Sequence, residues 1–440
     1  MIVIYTPELT FRIEYVLKLI FSEILCMEYS VLSDRDVFIH SEGERINYSN
    51  FDVPGSLWIK PSGLLEETDI KNRKPAVGKW EGLPVLFGNN NHPIPFDIFS
   101  AVFFLITRYE EYLPFDPDPY GRFKAEESVA FKNGFLRLPI IDLWCKKLAE
   151  LLKIDIQNTK LAETNYRFRL TVDMDRPWLF RNKGMFYAAG TLFRDILRFN
   201  FSQFTERWRI MNGNMPDPAD TYEFLSEVKT KLKLPVNYFI FCRKKDKYDT
   251  NWSVNRKAFH SLIRKLDTEG EIGIHPSYVS ATSKNKMKEE IAYLSGILNR
   301  DITLSRQHFL RFNFPETYQN LVKLGIKEDY SMGYSSQTGF RAGIARSFNF
   351  FDLENNKETG LRIYSFQIMD RTLLSYLKVS PDEAIKEYEY YTDIIRSVGG
   401  EFVCLWHNDS ISDLGEWKGW KKVFEKMINL NSNRDPIPEK

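Results

Sequence analysis

The chain has 440 residues, and its 60 basic and 59 acidic side chains nearly cancel to a formal net charge of +1, with 43% hydrophobic and 15% aromatic residues. A composition this apolar excludes a disordered chain, and the length exceeds what one compact core usually serves, so two domains are expected. Balanced charge supplies no global basic field, and no nucleic-acid partner is expected.

The N-terminal run MIVIYTPELTFRIEYVLKLIFSEIL is apolar, but Glu8, Arg12, Glu14, Lys18 and Glu23 interrupt every stretch that could serve as a signal-peptide core or a membrane span. That predicts a cytoplasmic protein. Residues 1–160 read as a separate α+β domain of unassigned role. It has a strand MIVIYT, an amphipathic helix carrying Leu9, Ile13, Val16, Ile20 and Ile24, and a Pro/Asn/Gly-rich middle around GNNNHPIP. The run LPFDPDPYGRF gathers Pro114, Asp116, Asp118 and Gly121 in one turn cluster. Proline breaks the spacing a calcium loop needs, so a structural loop is expected there. Cys26, Cys145, Cys242 and Cys404 lie far apart and form no CxxC pair, which reads as reduced and mostly buried thiols.

Residues 161–440 alternate β-rich runs with helical periods, the pattern of a parallel α/β architecture. The candidate strands are RFRLTVDMD, PVNYFIF, EIGIHPS, TLSRQHFL, KEDYSMG, RIYSFQIMD and EFVCLWHN. About seven strands predict a distorted, incomplete (β/α) barrel rather than the full eight. Helical periods place Tyr222, Leu225, Val228 and Leu232 on one face, and Met287, Ile291, Leu294 and Leu298 on another. Asn313, Pro315 and Glu316 open a helix closed by Gly325, and Ser380, Pro381 and Glu383 form a capping-box pattern closed by Gly399 and Gly400. Residues 178–218, rich in Phe and Arg, are too many for a simple βα loop. Packing on the first domain ranks first for them, a lid over the barrel mouth second, and peripheral membrane contact last.

In such a barrel the carboxyl ends of the strands converge on one face. Here they carry Asp173 and Asp175, then His275, then His308 with Arg306 and Arg311, then Asp370, then His407. Three of the chain's six histidines lie at these ends. A spacing of two along a strand puts Asp173 and Asp175 on one side, where a metal or a shared proton would relieve their repulsion. The alternative for that pair is a strand-end turn, with one carboxylate on backbone N–H groups and the other on Arg176. Singly, each histidine reads as a structural hydrogen bonder; acids and histidines together at the ends of several strands point to a site.

In order and content these motifs resemble the polysaccharide deacetylases of carbohydrate esterase family 4, in a divergent bacterial branch with an additional N-terminal domain. TVDMD at 171–175 stands where the family has its TFDDG-like first motif, HPSY at 275–278 where it has HxxxH, SRQHFLR at 305–311 at the arginine motif, and LWHN at 405–408 at the late leucine-histidine motif. The resemblance implies metal-dependent removal of an N-acetyl group from an acetylated amino sugar in a glycan or glycan precursor. It implies Asp173 as general base, Asp175 as metal ligand and His407 as general acid. Two departures stand out: Met174 separates the aspartates, and Val279 occupies the position of the second motif-two histidine. Two ligands are too few for a catalytic zinc, so His308 is expected as the third beside Asp175 and His275. Zinc is expected first for this donor set, with cobalt, nickel or iron able to use the same ligands.

Either Arg306 or Arg311 is expected to orient Asp173. Tyr334 and Arg341, in GYSSQTGFRAG, are expected to bind substrate, and Asp370 either orients a catalytic histidine or caps a helix. The expected partner is an N-acetylated sugar or glycan, and no protein partner is indicated. Two rival readings are a catalytically inactive carbohydrate-binding barrel and a metal-dependent O-acetyl esterase.

Overall fold

Four short strands open the chain: β1 (Ile2–Tyr5), β2 (Tyr29–Leu32), β3 (Glu44–Tyr48) and β4 (Leu57–Ile59), ordered β2-β1-β3-β4. All pair in parallel, a pairing that the α+β reading of this part did not specify. The reason lies in the connections, since helical segments between β1 and β2 and between β2 and β3 return the chain to start each strand in the same direction. The helix Phe11–Leu17 is capped by the Thr10 side chain, which accepts from Ile13 N, and runs on into wider π-type turns over Lys18–Ile24. Ile13, Val16, Ile20 and Ile24 are buried as their period predicts, whereas Leu9 precedes the helix and is exposed. An antiparallel pair, β5 (Val77–Trp80) and β6 (Leu83–Leu86), follows.

This computed structural model describes residues 1–89, 93–154, 166–232, 234–245, 247–248 and 250–432. The centre of GNNNHPIP and the expected domain boundary near residue 160 lie outside the described residues.

The remaining strands are β7 (Arg167–Met174), β8 (Val236–Ile240), β9 (Glu271–Ile274), β10 (Leu304–Ser305), β11 (Glu328–Asp329), β12 (Phe348–Asp352), β13 (Lys357–Ile363), β14 (Ile368–Met369) and β15 (Glu401–His407). They form one nine-stranded sheet in the order β12-β13-β11-β10-β9-β8-β7-β15-β14. Every pair is parallel except the β12–β13 hairpin. The sequence-based count of seven is corrected in two places. RIYSFQIMD is not one strand: its start ends β13, its end is β14, and residues between them cross from one flank to the other. In that crossing Tyr364 N donates to Asp329 O and Gln367 N to Val403 O. The β12–β13 hairpin turns through Asn356 at a φ of 46° and has no βα period to announce it. Among the described residues β12 and β14 are not paired with each other, and no closed barrel is formed.

The central strands are buried on both faces, as parallel strands flanked by helices must be. Gly273 permits close packing within the sheet: a Cβ there would meet the Phe239 ring at 2.6 Å. The capping box at Ser380 and Glu383 forms as its pattern predicts, opening the helix Pro381–Ser397. Cys145, Cys242 and Cys404 are buried, Cys26 is exposed, and all four are free thiols. No helix of the described residues is long and apolar enough to cross a membrane.

The N-terminal residues are bolted to the large sheet by a buried ionic network. Glu111 accepts from Arg108 Nε at 2.7 Å and, through both oxygens, from Arg341 Nε at 2.9 Å and Nη2 at 2.6 Å. Arg108 Nη2 also donates to the Tyr334 hydroxyl at 3.0 Å. Burial opposes ionisation of Glu111, but Arg341 and Arg108 together hold its carboxyl below the usual carboxylate range. Glu111→Gln keeps the volume and leaves two buried guanidinium groups short of countercharge. We expect a loss of about 3–5 kcal/mol, measured as a lowered urea midpoint.

Candidate metal centre

Asp173 is the penultimate residue of β7 and Asp175 follows its end, with Met174 between them turned into the core. Strand alternation therefore delivers both carboxylates to one side. His275 follows β9, His308 follows β10 by three residues, Asp370 follows β14, and His407 ends β15 in register with Asp173. These carboxyl ends enclose a cavity of about 330 Å³ lined by Asp173, Asp175, His275, His308 and His407.

His275 Nδ1 lies 2.5 Å from the Arg306 carbonyl, which can only accept, so Nδ1 carries the proton and Nε2 presents its lone pair. Nε2 faces Asp175 Oδ1 at 3.3 Å and Asp173 Oδ2 at 3.6 Å, and His308 Nε2 approaches Asp175 Oδ1 to 3.4 Å. One donor atom from each of Asp175, His275 and His308 lies within 4.8 Å of the others. His275 Nε2 and Asp175 Oδ1 are both buried atoms without a hydrogen bond. Two lone pairs facing each other repel unless a cation lies between them, and two imidazoles with one carboxylate are a donor set that zinc accepts. The group fits a metal ion. Burial would raise the Asp175 pKa, but the electrostatic pull of His308 outweighs it and holds the carboxyl well below the usual carboxylate range.

Val279 lies in the turn Tyr278–Thr282, and His308, from the neighbouring strand end, is the histidine that joins the group. Its ring is 4.7 Å from that of His275, 5.1 Å from Phe241 and 4.7 Å from Phe309. Phe309 and Leu310 adopt left-handed backbone, with φ of 58° and 53°. Strain of this kind persists where surrounding contacts impose it. Here Phe309 packs on Tyr120, Tyr248 and Tyr278, and its carbonyl accepts from Arg122 Nη1 at 2.8 Å.

The two candidate arginines part company. Arg306 is fully buried, donates Nη1 to Asp173 Oδ1 at 2.9 Å and Nε to Tyr330 O at 2.9 Å, and lies over the Phe239 ring. Arg311 instead donates to Tyr278 O at 2.8 Å and covers the Tyr278 ring. Asp370 stands with the histidine: its Oδ1 is 2.8 Å from His407 Nδ1 and its Oδ2 accepts from His407 N at 2.7 Å. Burial would lower the His407 pKa, but Asp370, with smaller contributions from Asp175 and Asp173, raises it to about 9.

Tyr334 and Arg341 do not line the metal cavity itself. The buried charge of Glu111 draws Arg341 into the ionic network, and Tyr334 follows through Arg108. Both line a second cavity of about 290 Å³ that shares Arg122, Leu310, Ser335 and Tyr376 with the first.

Sequence reasoning missed Arg122 and Glu290. Asp118 accepts from Tyr120 N, Arg122 N and Arg122 Nε, so the DPDPYGR run is a structural turn as expected, and it delivers Arg122 to the cavity. Nothing in its local pattern marks that destination. Glu290 left a trace, a charge on the buried stripe with Met287 and Leu294. It accepts from Ser277 N, Ser277 Oγ and Ser280 Oγ at 2.6–2.8 Å, pinning the loop that carries His275.

Residues 2–157 match the model of a family of unknown function, DUF7033. No curated protein matches the chain. Among solved structures, the chain is similar to the polysaccharide deacetylase Bc1974 from Bacillus cereus, with 12% identity and a TM-score of 0.30, covering 60% of this chain and 85% of that one. It is similar to a probable polysaccharide deacetylase from Pseudomonas aeruginosa, with 10% identity and a TM-score of 0.40, over 64% of this chain and 91% of that one. A third, a carbohydrate esterase family 4 pseudoenzyme from Bacillus anthracis, has 10% identity and a TM-score of 0.30, over 61% and 63%. These likenesses are distant.

The Asp370–His407 pair has a direct readout. In chelator-treated protein, NMR titration of the His407 ring is expected to give a midpoint of about 9. Asp370→Asn removes the charge that favours the imidazolium, so the midpoint should fall to or below the ordinary value of about 6.5.

Proposed function

We propose that the chain is a metal-dependent hydrolase that releases acetate from an N-acetylated amino sugar within a glycan or glycan precursor. In this reading residues 161–440 form the catalytic barrel and residues 1–160 a separate domain. One observation carries the reading: His275 Nε2 and Asp175 Oδ1 face each other at 3.3 Å, neither hydrogen-bonded, with His308 Nε2 beside them. The motif resemblance at 171–175, 275–278, 305–311 and 405–408 agrees with it.

Asp175, His275 and His308 would hold the ion, and a divalent ion bound there supplies Lewis acidity toward the acyl oxygen and makes water more acidic. Asp173 is the base: Arg306 fixes one carboxylate oxygen at 2.9 Å, leaving the other directed into the cavity to take a proton from the attacking water. His407 is the acid. Its Nδ1–H is held by Asp370, and its raised pKa keeps a proton on Nε2 at neutral pH for the departing amine. The water oxygen bonds to the acyl carbon, the C–N bond breaks, and acetate and a free amino sugar leave. The adjoining cavities share four lining residues, and this continuity favours an extended or carried sugar over a free monosaccharide.

The deciding experiment is acetate release from N-acetylated and O-acetylated glycans, with and without chelator. Release from the amide, abolished by chelator and restored by zinc, is the expected result. Release from the ester alone would replace the amidase with an esterase, and bound metal without release from either would favour a binding module. Within the amidase reading, Asp173→Asn should lower kcat roughly 10²–10⁴-fold with metal content kept. His308→Ala should lower metal content and activity together, with partial rescue by excess metal. His260→Ala, whose ring is bonded to the Tyr293 hydroxyl away from the site, should change neither.

A further inference from the structure

Residues 178–218 leave the carboxyl edge of β7 and form a hairpin of two helices, Met185–Leu197 and Phe201–Met211. Its base is clamped by the buried Asp217 carboxylate, which accepts from Leu179 N, Phe180 N and Arg181 N. None of these residues lines the metal cavity, so a lid is not supported.

The hairpin's polarity is inverted. Facing inward on the first helix are Thr191 and Asp195, and Asp195 pairs with Arg207 of the second helix at 2.6 Å. Facing outward are Met185, Phe186, Phe193, Ile196 and Leu197. At about 100° per residue these five fall within an arc of roughly 120°, one continuous apolar face. Phe186 is 96% exposed and Met185 86%. Phe199 and Phe201 extend the face across the turn, and Trp208 along the second helix. Phe199 is 82% exposed and sits in left-handed backbone with a φ of 54°, so neither burial nor conformational preference accounts for a phenylalanine there.

Charge borders this face on one side of neutrality. Arg194, Arg198 and Arg209 are exposed, and among the described residues neither Arg198 nor Arg209 has a carboxylate within salt-bridge distance. Arg181 is also exposed, 3.6 Å from Asp220. Glu206 is the one exposed carboxylate between residues 178 and 218. A second copy of the chain fits such a face poorly, because a two-fold contact would bring one cationic rim against the other. Packing on the first domain would have covered the phenylalanines. Anionic headgroups complement the rim while the acyl boundary takes the aromatic side chains.

We infer that the hairpin docks the protein on an anionic lipid surface, with its phenylalanines in the interface and its arginines at the headgroups. The claim is independent of the hydrolysis reading, and its test needs no substrate. The full chain is sedimented with phosphatidylcholine vesicles containing or lacking phosphatidylglycerol. Wild type should pellet with the anionic vesicles, and high salt should release it. Phe186→Ser with Phe199→Ser should weaken partitioning about tenfold or more per side chain, and Arg194→Gln with Arg198→Gln about fivefold each. Circular dichroism confirms the fold of each variant, since these side chains are exposed. Absence of wild-type binding, equal binding by the phenylalanine variant, or a vesicle-indifferent dimer that this variant dissociates would overturn the inference.

Discussion

The site depends on two lone pairs forced to face each other. Left free, a histidine and a carboxylate 3.3 Å apart would rotate into an ordinary hydrogen bond, with the imidazole proton on the facing nitrogen. Here that option is spent, because His275 gives its proton on the far side to the Arg306 carbonyl. Arg306 is itself held by Asp173 and Tyr330, and the loop that carries His275 is tied to Glu290. The cost of leaving His275 Nε2 and Asp175 Oδ1 without hydrogen bonds is spread over these buried contacts, and an ion held there would offset it.

A similar logic separates Asp173 and His407, the two proton carriers of the proposed reaction. Asp173 and His407 sit opposite each other in the β7–β15 register, yet each answers to a different outer partner. Arg306 neutralises the aspartate's neighbourhood, and Asp370 charges the histidine's. In the proposed reaction a histidine kept protonated at neutral pH serves as the acid. The N-terminal residues add to this, since Arg122 reaches the cavity only because Asp118 folds its turn and because Glu111 with Arg108 and Arg341 fixes that part of the chain to the sheet.

How legible was this in the sequence? Residues whose places follow from strand position were legible: Asp173, Asp175, His275, His308 and His407 all fall at strand ends, and parallel strands bring their ends together. The choice between Arg306 and Arg311 was not, because both follow one short strand and the left-handed turn at Phe309 and Leu310 sends them apart. The ionic network around Tyr334 and Arg341 was hidden for a related reason. Their loop looks like a binding loop from its glycines and aromatics, but a buried carboxylate more than two hundred residues away claims the arginine. The antiparallel β12–β13 hairpin and the parallel N-terminal sheet were lost to pairing, which local periodicity does not encode.

Everything in the proposed chemistry rests on an ion among Asp175, His275 and His308, and anomalous diffraction from zinc-loaded crystals tests that directly. The account predicts a single strong peak with His nitrogen and Asp oxygen ligands at about 2.0–2.2 Å and an open position toward the cavity. A zinc-loaded crystal with no peak there, and with His275 Nε2 turned into a plain hydrogen bond to Asp175, would contradict it.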